Sequence, residues 1–390
     1  MALSSIKGRE RDSDLGNRRY KNETTSRLEK ALGALTIVLS SVAFLMVGAY
    51  GFLLWYIEPP EVDRPQVVRP PIAAHTPTHT GGASGGDSIT LPSLGEDGWR
   101  RDVYTILIAG EDDGFGGNDV IMVVLFDVGR GSMDVLSIPR DTIVNVPWGL
   151  KKINSVQHLY RQLPGNYDRY IYALSGVVER MVGFPIDHWV TLDLYGFVAL
   201  VDAIGGVYFD VPRRMFYSDP EQGLLINLHP GYQRLDGASA EGLVRFRNYA
   251  EGDIQRIRVQ HDFLRALSSQ LLQARNILVL DDLVRIFRDN VETDLTLRNL
   301  LWFATEFLQM DSANIRFHSV DSTMANINDH VNGISYVSLF VEPWLELLNT
   351  YMNPFTWPIE AEHLEILTRD PRTGQFFTTN GAPFANNWVR

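Results

Sequence analysis

The stretch that decides the fold is Met133-Asp-Val-Leu-Ser-Ile-Pro-Arg-Asp-Thr142. Its first half predicts a buried strand, and the proline forces the chain to turn directly after it. Similar apolar runs at 103–109 and 121–126 predict two more buried strands. Because ligands of open α/β sheets gather at the carboxyl ends of strands, Arg140 and Asp141 stand where a site is expected. The alternative is an ordinary surface ion pair, which contributes little.

Strand and helix patterns alternate along the rest of the chain. Further strands are predicted at 188–194 and 207–211. Helices are predicted at 154–162, 170–182, 197–204, 254–274, 278–289, 296–309 and 336–349. The helix 197–204 is expected to stop at the two glycines that follow it. Strands interleaved with helices predict an α/β sandwich.

A second informative group of residues is Arg245, Arg247, Arg256 and Gln260. Arg245 and Arg247 are two residues apart and share a side if that stretch is extended. Arg256 and Gln260 are four apart on a predicted helix and share a face, whereas Arg258 points elsewhere. Guanidinium groups that converge in a chain of net charge -12 need an anionic partner, and their fork geometry suits phosphate oxygens. The alternative for each pair is a solvated, charged face.

Two further charged residues stand at the ends of predicted elements. Asp119 lies just before a buried strand, where a carboxylate is well placed to hold a hard cation. The alternative is a loop aspartate that caps a turn. Lys152 lies next to a helix start, a position that disfavours a cation unless an anion shares the space. The alternative is a solvated lysine.

Composition excludes several classes of function. The acidic balance argues against nucleic-acid binding, which needs a basic face. The chain has no cysteine, so it can form neither a disulfide nor a cysteine zinc site, and it has no thiolate nucleophile. The sequence also lacks a phosphate-binding Gly-Lys loop, a nucleophile elbow and a His-Glu-x-x-His zinc motif.

Charge and composition divide the chain into five parts. Residues 1–30 form a basic tail with eight Lys/Arg, which the positive-inside rule places in the cytoplasm. Residues 31–57 carry no charge and are long enough to form one transmembrane helix. Residues 58–98, rich in Pro, Gly, Ser and Thr, predict a flexible extracytoplasmic linker. A folded domain follows at 99–350, and no role is predicted for the extension 351–390.

The motifs between residues 100 and 275 occur in an order that is informative in itself. They are Asn118-Asp-Val-Ile-Met122, Ser137-Ile-Pro-Arg-Asp-Thr142, Lys152-Ile-Asn154, Val201-Asp-Ala-Ile-Gly-Gly-Val207, Pro230-Gly231 with Leu235-Asp-Gly237, Arg245-Phe-Arg247, and Gly252-Asp-Ile-Gln-Arg256 with Gln260. This order resembles the LytR-CpsA-Psr family. The resemblance implies an α-β-α sandwich with a mixed central sheet, preceded by one transmembrane helix in a bacterial cytoplasmic membrane.

The resemblance also implies an activity, which is the transfer of a glycopolymer from a polyprenyl-pyrophosphate carrier to peptidoglycan. A Mg²⁺-dependent phosphotransferase with a pyrophosphatase side activity is therefore expected. By resemblance, Asp119 and Asp141 hold Mg²⁺, Arg140 and Asp141 are catalytic, and Asp141 draws the proton from the acceptor hydroxyl. The residues expected to bind the pyrophosphate are Arg140, Lys152, Arg245, Arg247, Arg256 and Gln260. An apolar tunnel for the prenyl tail is expected within 170–200, lined by residues such as Val177, Phe184, Trp189 and Phe197.

The sequence departs from the family pattern at several positions. The family has an arginine at the position of Gly117, an arginine at the position of Val259 and a Gly-Gly pair after the Lys152-Ile-Asn motif. Arg161 is a candidate replacement for a missing cation. The alternative function is a non-catalytic polyprenyl-phosphate-binding or regulatory protein of the cell envelope. Such a binder would keep the arginines without needing both Asp119 and Asp141.

Overall fold

The computed structural model divides the chain into two units. Of the first, Met1–Pro59, it describes only residues 56–59, so the predicted basic tail and almost all of the predicted membrane helix lie outside the described residues. The second unit is Pro60–Arg390. Across both units, the structure describes residues 56–62, 64, 98–111, 117–147, 149–163, 170–220, 224–249, 253–272, 289–370 and 372–382. Among these residues, no helix is both long enough and apolar enough to cross a bilayer.

Strands and helices alternate along the second unit. The strands are β1 (Val103–Glu111), β2 (Asn118–Asp127), β3 (Ser132–Ser137), β4 (Ile143–Val146), β5 (Gly149–Lys152), β6 (His188–Leu192), β7 (Val207–Val211), β8 (Met215–Asp219), β9 (Leu224–Leu228), β10 (Gly231–Leu235), β11 (Val291–Thr293), β12 (Ile315–Ser319), β13 (Ala325–Val331), β14 (Ile334–Leu339), β15 (Leu367–Arg369) and β16 (Phe376–Thr378). The α-helices are α1 (Val156–Arg161), α2 (Tyr170–Val182), α3 (Leu194–Ala203), α4 (Gly237–Arg245), α5 (Asp253–Leu271), α6 (Leu297–Leu308) and α7 (Val341–Leu347).

A six-stranded sheet forms the centre of this unit, in the order β11-β6-β1-β2-β3-β12. The pairs β1–β6 and β3–β12 are parallel, and the other three pairs are antiparallel. The predicted mixed sheet is therefore confirmed.

Successive side chains of each strand point to opposite faces of the sheet, and both faces are covered by packed side chains. On one face Leu107 of β1 packs into a core with Leu174 of α2. On the other face Ile106 packs with Phe303 of α6. Helices on both faces give the predicted α-β-α layering.

A second core lies beside the sheet and positions α5. It contains residues of α3, α4, α5 and the paired strands β7–β10 and β8–β9, with Phe263 of α5 fully buried at its centre. Asp193 caps the N-terminus of α3, because its carboxylate accepts a hydrogen bond from the backbone N–H of Gly196. It ends where predicted, at Gly205 and Gly206, which adopt φ values of +82° and +86°.

The prediction of a helix over 336–349 is wrong in its first part. Residues Ile334–Leu339 form β14, which pairs with β13, and a helix begins only at Val341. The turn between the two strands contains Asn332 and Gly333, both with positive φ, which is the geometry of a tight hairpin.

The chain after residue 350 contributes to the main core. Met352, Phe355 and Leu364 are buried in the same cluster as Leu107 and Leu174. Farther along, β15 pairs with β16.

Candidate active site

A pocket of about 290 Å³ lies between the sheet and the helices α3 and α5. Most of its wall is apolar, with Ile108, Gly110, Val120, Met122 and Leu192 from the sheet and Leu194, Phe197, Leu200, Val244, Leu264 and Leu267 from the helices beside it. The polar wall residues are Asp119, Asp193, Arg245, Arg247, Arg256 and Gln260. Five of these six were predicted from the sequence as site residues, and the fold brings them to one cavity.

Asp119 joins two parts of the site that are distant in the sequence. Its Oδ1 accepts a hydrogen bond of 2.6 Å from Nη1 of Arg140, and its Oδ2 accepts one of 2.9 Å from Nη2 of Arg247. A register shift between Gly110 and Glu111 interrupts the β1–β2 pairing at the position of Asp119. Such bulges change the direction of a side chain, and here Asp119 lines the pocket.

The charge of Asp119 is set by opposing effects. Burial by itself raises the pKa of the carboxyl group, but the positive charges of Arg140, Arg247 and Arg256 outweigh burial and hold the pKa below its ordinary value. Asp119 is therefore ionised at neutral pH. It holds the guanidinium groups in place because each is attracted to the same carboxylate.

The arginines reach the pocket from two helices and one loop. Arg245 is the last residue of α4 and Arg247 follows the helix, so the stretch is not extended throughout. Both residues nevertheless line the pocket. Nη1 of Arg245 donates to Oε1 of Glu241 at 2.8 Å. Arg256 and Gln260 share the pocket-facing side of α5, as their spacing predicts. Arg258 is exposed and does not line the cavity.

Asp141 and Lys152 form a separate pair beside the pocket. Nζ of Lys152 lies 2.9 Å from Oδ1 of Asp141, and each side chain is 30% exposed. The segments that carry Asp141 and Lys152 are joined by two backbone hydrogen bonds. The N–H of Ile153 donates to the carbonyl oxygen of Thr142, and the N–H of Asn154 donates to that of Arg140. Neither Asp141 nor Lys152 lines the cavity, and Arg140 is connected to it through Asp119.

The expected lining of the apolar tunnel is mostly wrong. Val177 and Phe184 are buried in the core on the opposite face of the sheet, and Trp189 packs against that core. Of the four named residues, Phe197 alone lines the pocket. The apolar walls of the pocket come instead from β1, β2, β6, α3, α4 and α5. The apolar stripe on the predicted helix 254–274 contains two of these wall residues, Leu264 and Leu267.

The departures from the family pattern fall at defined places. Val259 is buried in the second core, where its apolar side chain packs against the helices. A Cβ atom at Gly117 would lie 3.3 Å from the carbonyl oxygen of Asn154, so the segments around these two residues approach closely. The guanidinium carbon of Arg161 lies 3.8 Å from the ring centre of Tyr170, and Arg161 does not line the pocket.

The fold and the arginine-lined pocket agree with the comparison with known proteins. A model of the LytR-CpsA-Psr family matches residues 87–350, and the chain therefore belongs to this family.

Individual relatives support the same assignment. The chain is 35% identical over 193 residues to the probable cell wall biosynthesis protein LcpB of Corynebacterium glutamicum, which is 49% of this chain and 43% of LcpB. It spans about half the length of the curated relatives it matches.

Solved structures share the fold. The crystal structure of Bacillus subtilis TagV matches with a TM-score of 0.54 and 25% identity, over 64% of this chain and 96% of TagV. The structure of TagT bound to LIIa-WTA matches with a TM-score of 0.52 and 21% identity, over 72% of this chain and all of that one.

Proposed function

We propose that the chain is a phosphotransferase that moves a glycopolymer from a polyprenyl-pyrophosphate carrier to peptidoglycan. The observation that carries the proposal is that one pocket is lined both by a large set of apolar side chains and by three arginines. A diphosphate esterified to a prenyl chain likewise combines an anionic head with an apolar tail. The membership of the LytR-CpsA-Psr family and the relationship to a probable cell wall biosynthesis protein support the choice of a wall polymer.

The diphosphate would be bound by Arg245, Arg247 and Arg256. Phosphoryl transfer depends mainly on positioning and on neutralising the charge of the phosphate oxygens. Arg247 is 58% exposed at its side chain, so it can turn from Asp119 towards an incoming phosphate. Arg256 is 5% exposed and is held in the wall of the pocket, where low solvent access strengthens its attraction for an anion.

The prenyl chain would lie along the aliphatic wall. Leu200 of α3 and Leu264 of α5 face the cavity from two helices, and Met122 faces it from the sheet. Removing an apolar chain from water stabilises the complex by about 0.8 kcal/mol per buried CH₂ group. The pocket would thereby hold the carrier while its head group reacts.

The transfer itself needs a proton acceptor for the attacking sugar hydroxyl. The oxygen of the sugar hydroxyl would bond to the phosphorus that carries the polymer. The bond between that phosphorus and the oxygen bridging the two phosphates would break. The products are a phosphodiester on the acceptor and a polyprenyl phosphate. Asp119 is a poor proton acceptor because both its oxygens accept from arginines and its pKa is lowered. The family resemblance points instead to Asp141, which lies outside the cavity wall and next to Arg140, as the acceptor of this proton. Water in place of the sugar would give the pyrophosphatase side activity.

The carboxylates of this region also suit the Mg²⁺ ion that the family resemblance implies. Mg²⁺ prefers oxygen ligands and is commonly held by one or two carboxylates together with substrate phosphates. Asp119 and Asp141 are partly exposed, but arginines donate to both oxygens of Asp119 and Lys152 lies against Asp141, so these carboxylates would hold the ion only when the cations turn to the phosphates. No group of three or more His, Asp or Glu side chains suited to a metal occurs in the described part of the chain. When bound, the ion would supply further neutralisation of phosphate charge.

The proposed place of action is the outer side of a bacterial cytoplasmic membrane. The proposal rests on the uncharged segment 31–57 and on the basic tail that precedes it. A single-pass anchor with its N-terminus inside would keep the folded unit next to its lipid-linked donor.

A transfer assay with the full chain tests the proposal. The chain in detergent would be given a polyprenyl-pyrophosphate-linked glycan and peptidoglycan, with Mg²⁺ or with a chelator, beside Asp119→Asn and Asp141→Asn. Transfer of labelled glycan that requires Mg²⁺ and is lost in Asp141→Asn would support the assignment. Tight binding of the carrier without transfer or hydrolysis under any condition would instead favour the non-catalytic, carrier-binding function.

A further inference from the structure

A buried hydrogen bond joins the strand that precedes Arg140 to the helix that carries Arg256. Nε2 of His261, on α5, lies 2.6 Å from Oγ of Ser137, the last residue of β3. The two residues are 5% and 7% exposed. Ser137 stands three positions before Arg140, and His261 directly follows Gln260. The bond therefore connects the start of the Arg140 loop with the helix that presents Arg256 and Gln260.

His261 occupies a position where the helical pattern calls for an apolar residue. Ile257, His261 and Leu264 follow the spacing of one helix face, on which Ile257 and His261 are buried, and the ring centres of His261 and Phe317 lie 5.6 Å apart. Burial, followed by the charges of Arg265 and His318, lowers the pKa of His261 to about 4. The imidazole is therefore neutral at neutral pH and forms a bond to the hydroxyl without adding a charge to the core.

A buried polar pair within an apolar face has a consequence that apolar packing lacks. Apolar contacts tolerate small rotations and shifts of a helix, whereas a fully satisfied hydrogen bond between buried groups specifies one arrangement. Ser137 is also the direct cross-strand partner of Met122, which lines the pocket. Movement of α5 along its axis would break the bond and shift Arg256 relative to Asp119.

We propose that Ser137 and His261 are a positioning pair for the anion site. Their hydrogen bond sets the rotation and the height of α5 so that Arg256 and Gln260 face the loop that carries Arg140. Neither residue touches the ligand. This inference rests on the proposed function, because it assumes that the arginines bind a diphosphate.

The test measures, by calorimetry, the affinity of each full-chain variant for inorganic pyrophosphate and the melting temperature of the same variant. His261→Leu and Ser137→Ala remove the bond and should weaken pyrophosphate binding by about tenfold, within the range of couplings between contacting residues. His261→Gln keeps a polar atom that reaches the serine and should recover most of the affinity. Ser137→Ala removes a single oxygen atom and keeps the test valid if His261→Leu does not fold.

A matched control is Ser338→Ala. Oγ of Ser338 donates to Oδ2 of Asp329 at 2.7 Å, and both residues are buried away from the pocket. This variant should lower the melting temperature and leave pyrophosphate affinity unchanged. If His261→Leu and Ser137→Ala behave like this control, the positioning role is overturned and the anion site stands. A wild-type chain that does not bind pyrophosphate would overturn the anion site and the positioning role together.

Discussion

Arg245→Ala separates ligand binding from stability, because the structural contact of this residue is small and its expected ligand contact is large. Its ion pair with Glu241 spans one helical turn at a partly exposed position, and such pairs contribute about 0.3–0.5 kcal/mol. A cation in the last turn of α4 adds about 0.3–1 kcal/mol through the helix dipole. The loss of these two contributions should lower the free energy of unfolding by about 0.6–1.5 kcal/mol.

The effect on binding should be greater. A hydrogen bond to a charged group contributes about 1.5–3 kcal/mol, which corresponds to a loss of roughly 10- to 150-fold in affinity. We would measure the dissociation constant for inorganic pyrophosphate by calorimetry and the free energy of unfolding by urea titration.

Arg130→Ala provides the matched control for this measurement. Nη1 of Arg130 lies 3.7 Å from Oδ2 of Asp127, three residues away, and Arg130 does not line the pocket. This variant should lose less than about 1 kcal/mol of stability and no affinity. The reasoning would be refuted by an Arg245→Ala chain that unfolds at room temperature, or by one that binds pyrophosphate as tightly as the Arg130→Ala chain.

Other predictions follow from the same geometry. Asp119→Asn should make the stability of the fold less sensitive to acid. Because arginines lower the pKa of Asp119, the stabilising effect of its carboxylate is complete above the ordinary pKa of 3.8 and is lost as the pH falls below that value. The difference in melting temperature between wild type and this variant should therefore shrink from pH 6 to pH 3, and a constant difference would contradict the ion network. Gly237→Ala should destabilise the chain by about 1–3 kcal/mol, since the new Cβ would lie 2.4 Å from the carbonyl oxygen of Val198. Gly242→Ala, whose Cβ would meet only ordinary contacts, should be neutral or stabilising in the same urea titration. Leu200→Asp places a charge in the apolar wall and should abolish retention of a polyprenyl phosphate in native mass spectrometry, while circular dichroism shows an intact fold; undiminished lipid retention would place the lipid elsewhere.

Local patterns were sufficient to predict much of the secondary structure. The helix over 170–182 and the strand over 207–211 have the predicted bounds, because their apolar residues follow one period from end to end. Residues 336–339 of the strand Ile334–Leu339 were predicted as helix, although Asn332-Gly333 is a recognisable hairpin signal. Turn chemistry was the better guide at that position.

The candidate site was predictable as a set of residues but not as a set of contacts. The chemistry of the arginines and of Asp119 indicated an anion site, and the motif order indicated the family. The contacts of Asp119 with Arg140 and Arg247 join residues 21 and 128 positions apart, and they depend on sheet register, a bulge and the packing of α4, which Arg247 follows. The same limit explains the tunnel: Val177 and Phe197 are both apolar helix residues, and only the packing of the helices decides which one lines a cavity.

The most direct test of the central claim is a crystal structure of the chain with geranylgeranyl pyrophosphate, a short prenyl diphosphate. The account predicts diphosphate oxygens within hydrogen-bonding distance of Arg245, Arg247 and Arg256, with the prenyl chain between Leu200 and Leu264. A diphosphate bound elsewhere, for example at Lys152, with no prenyl chain in the pocket, would contradict it.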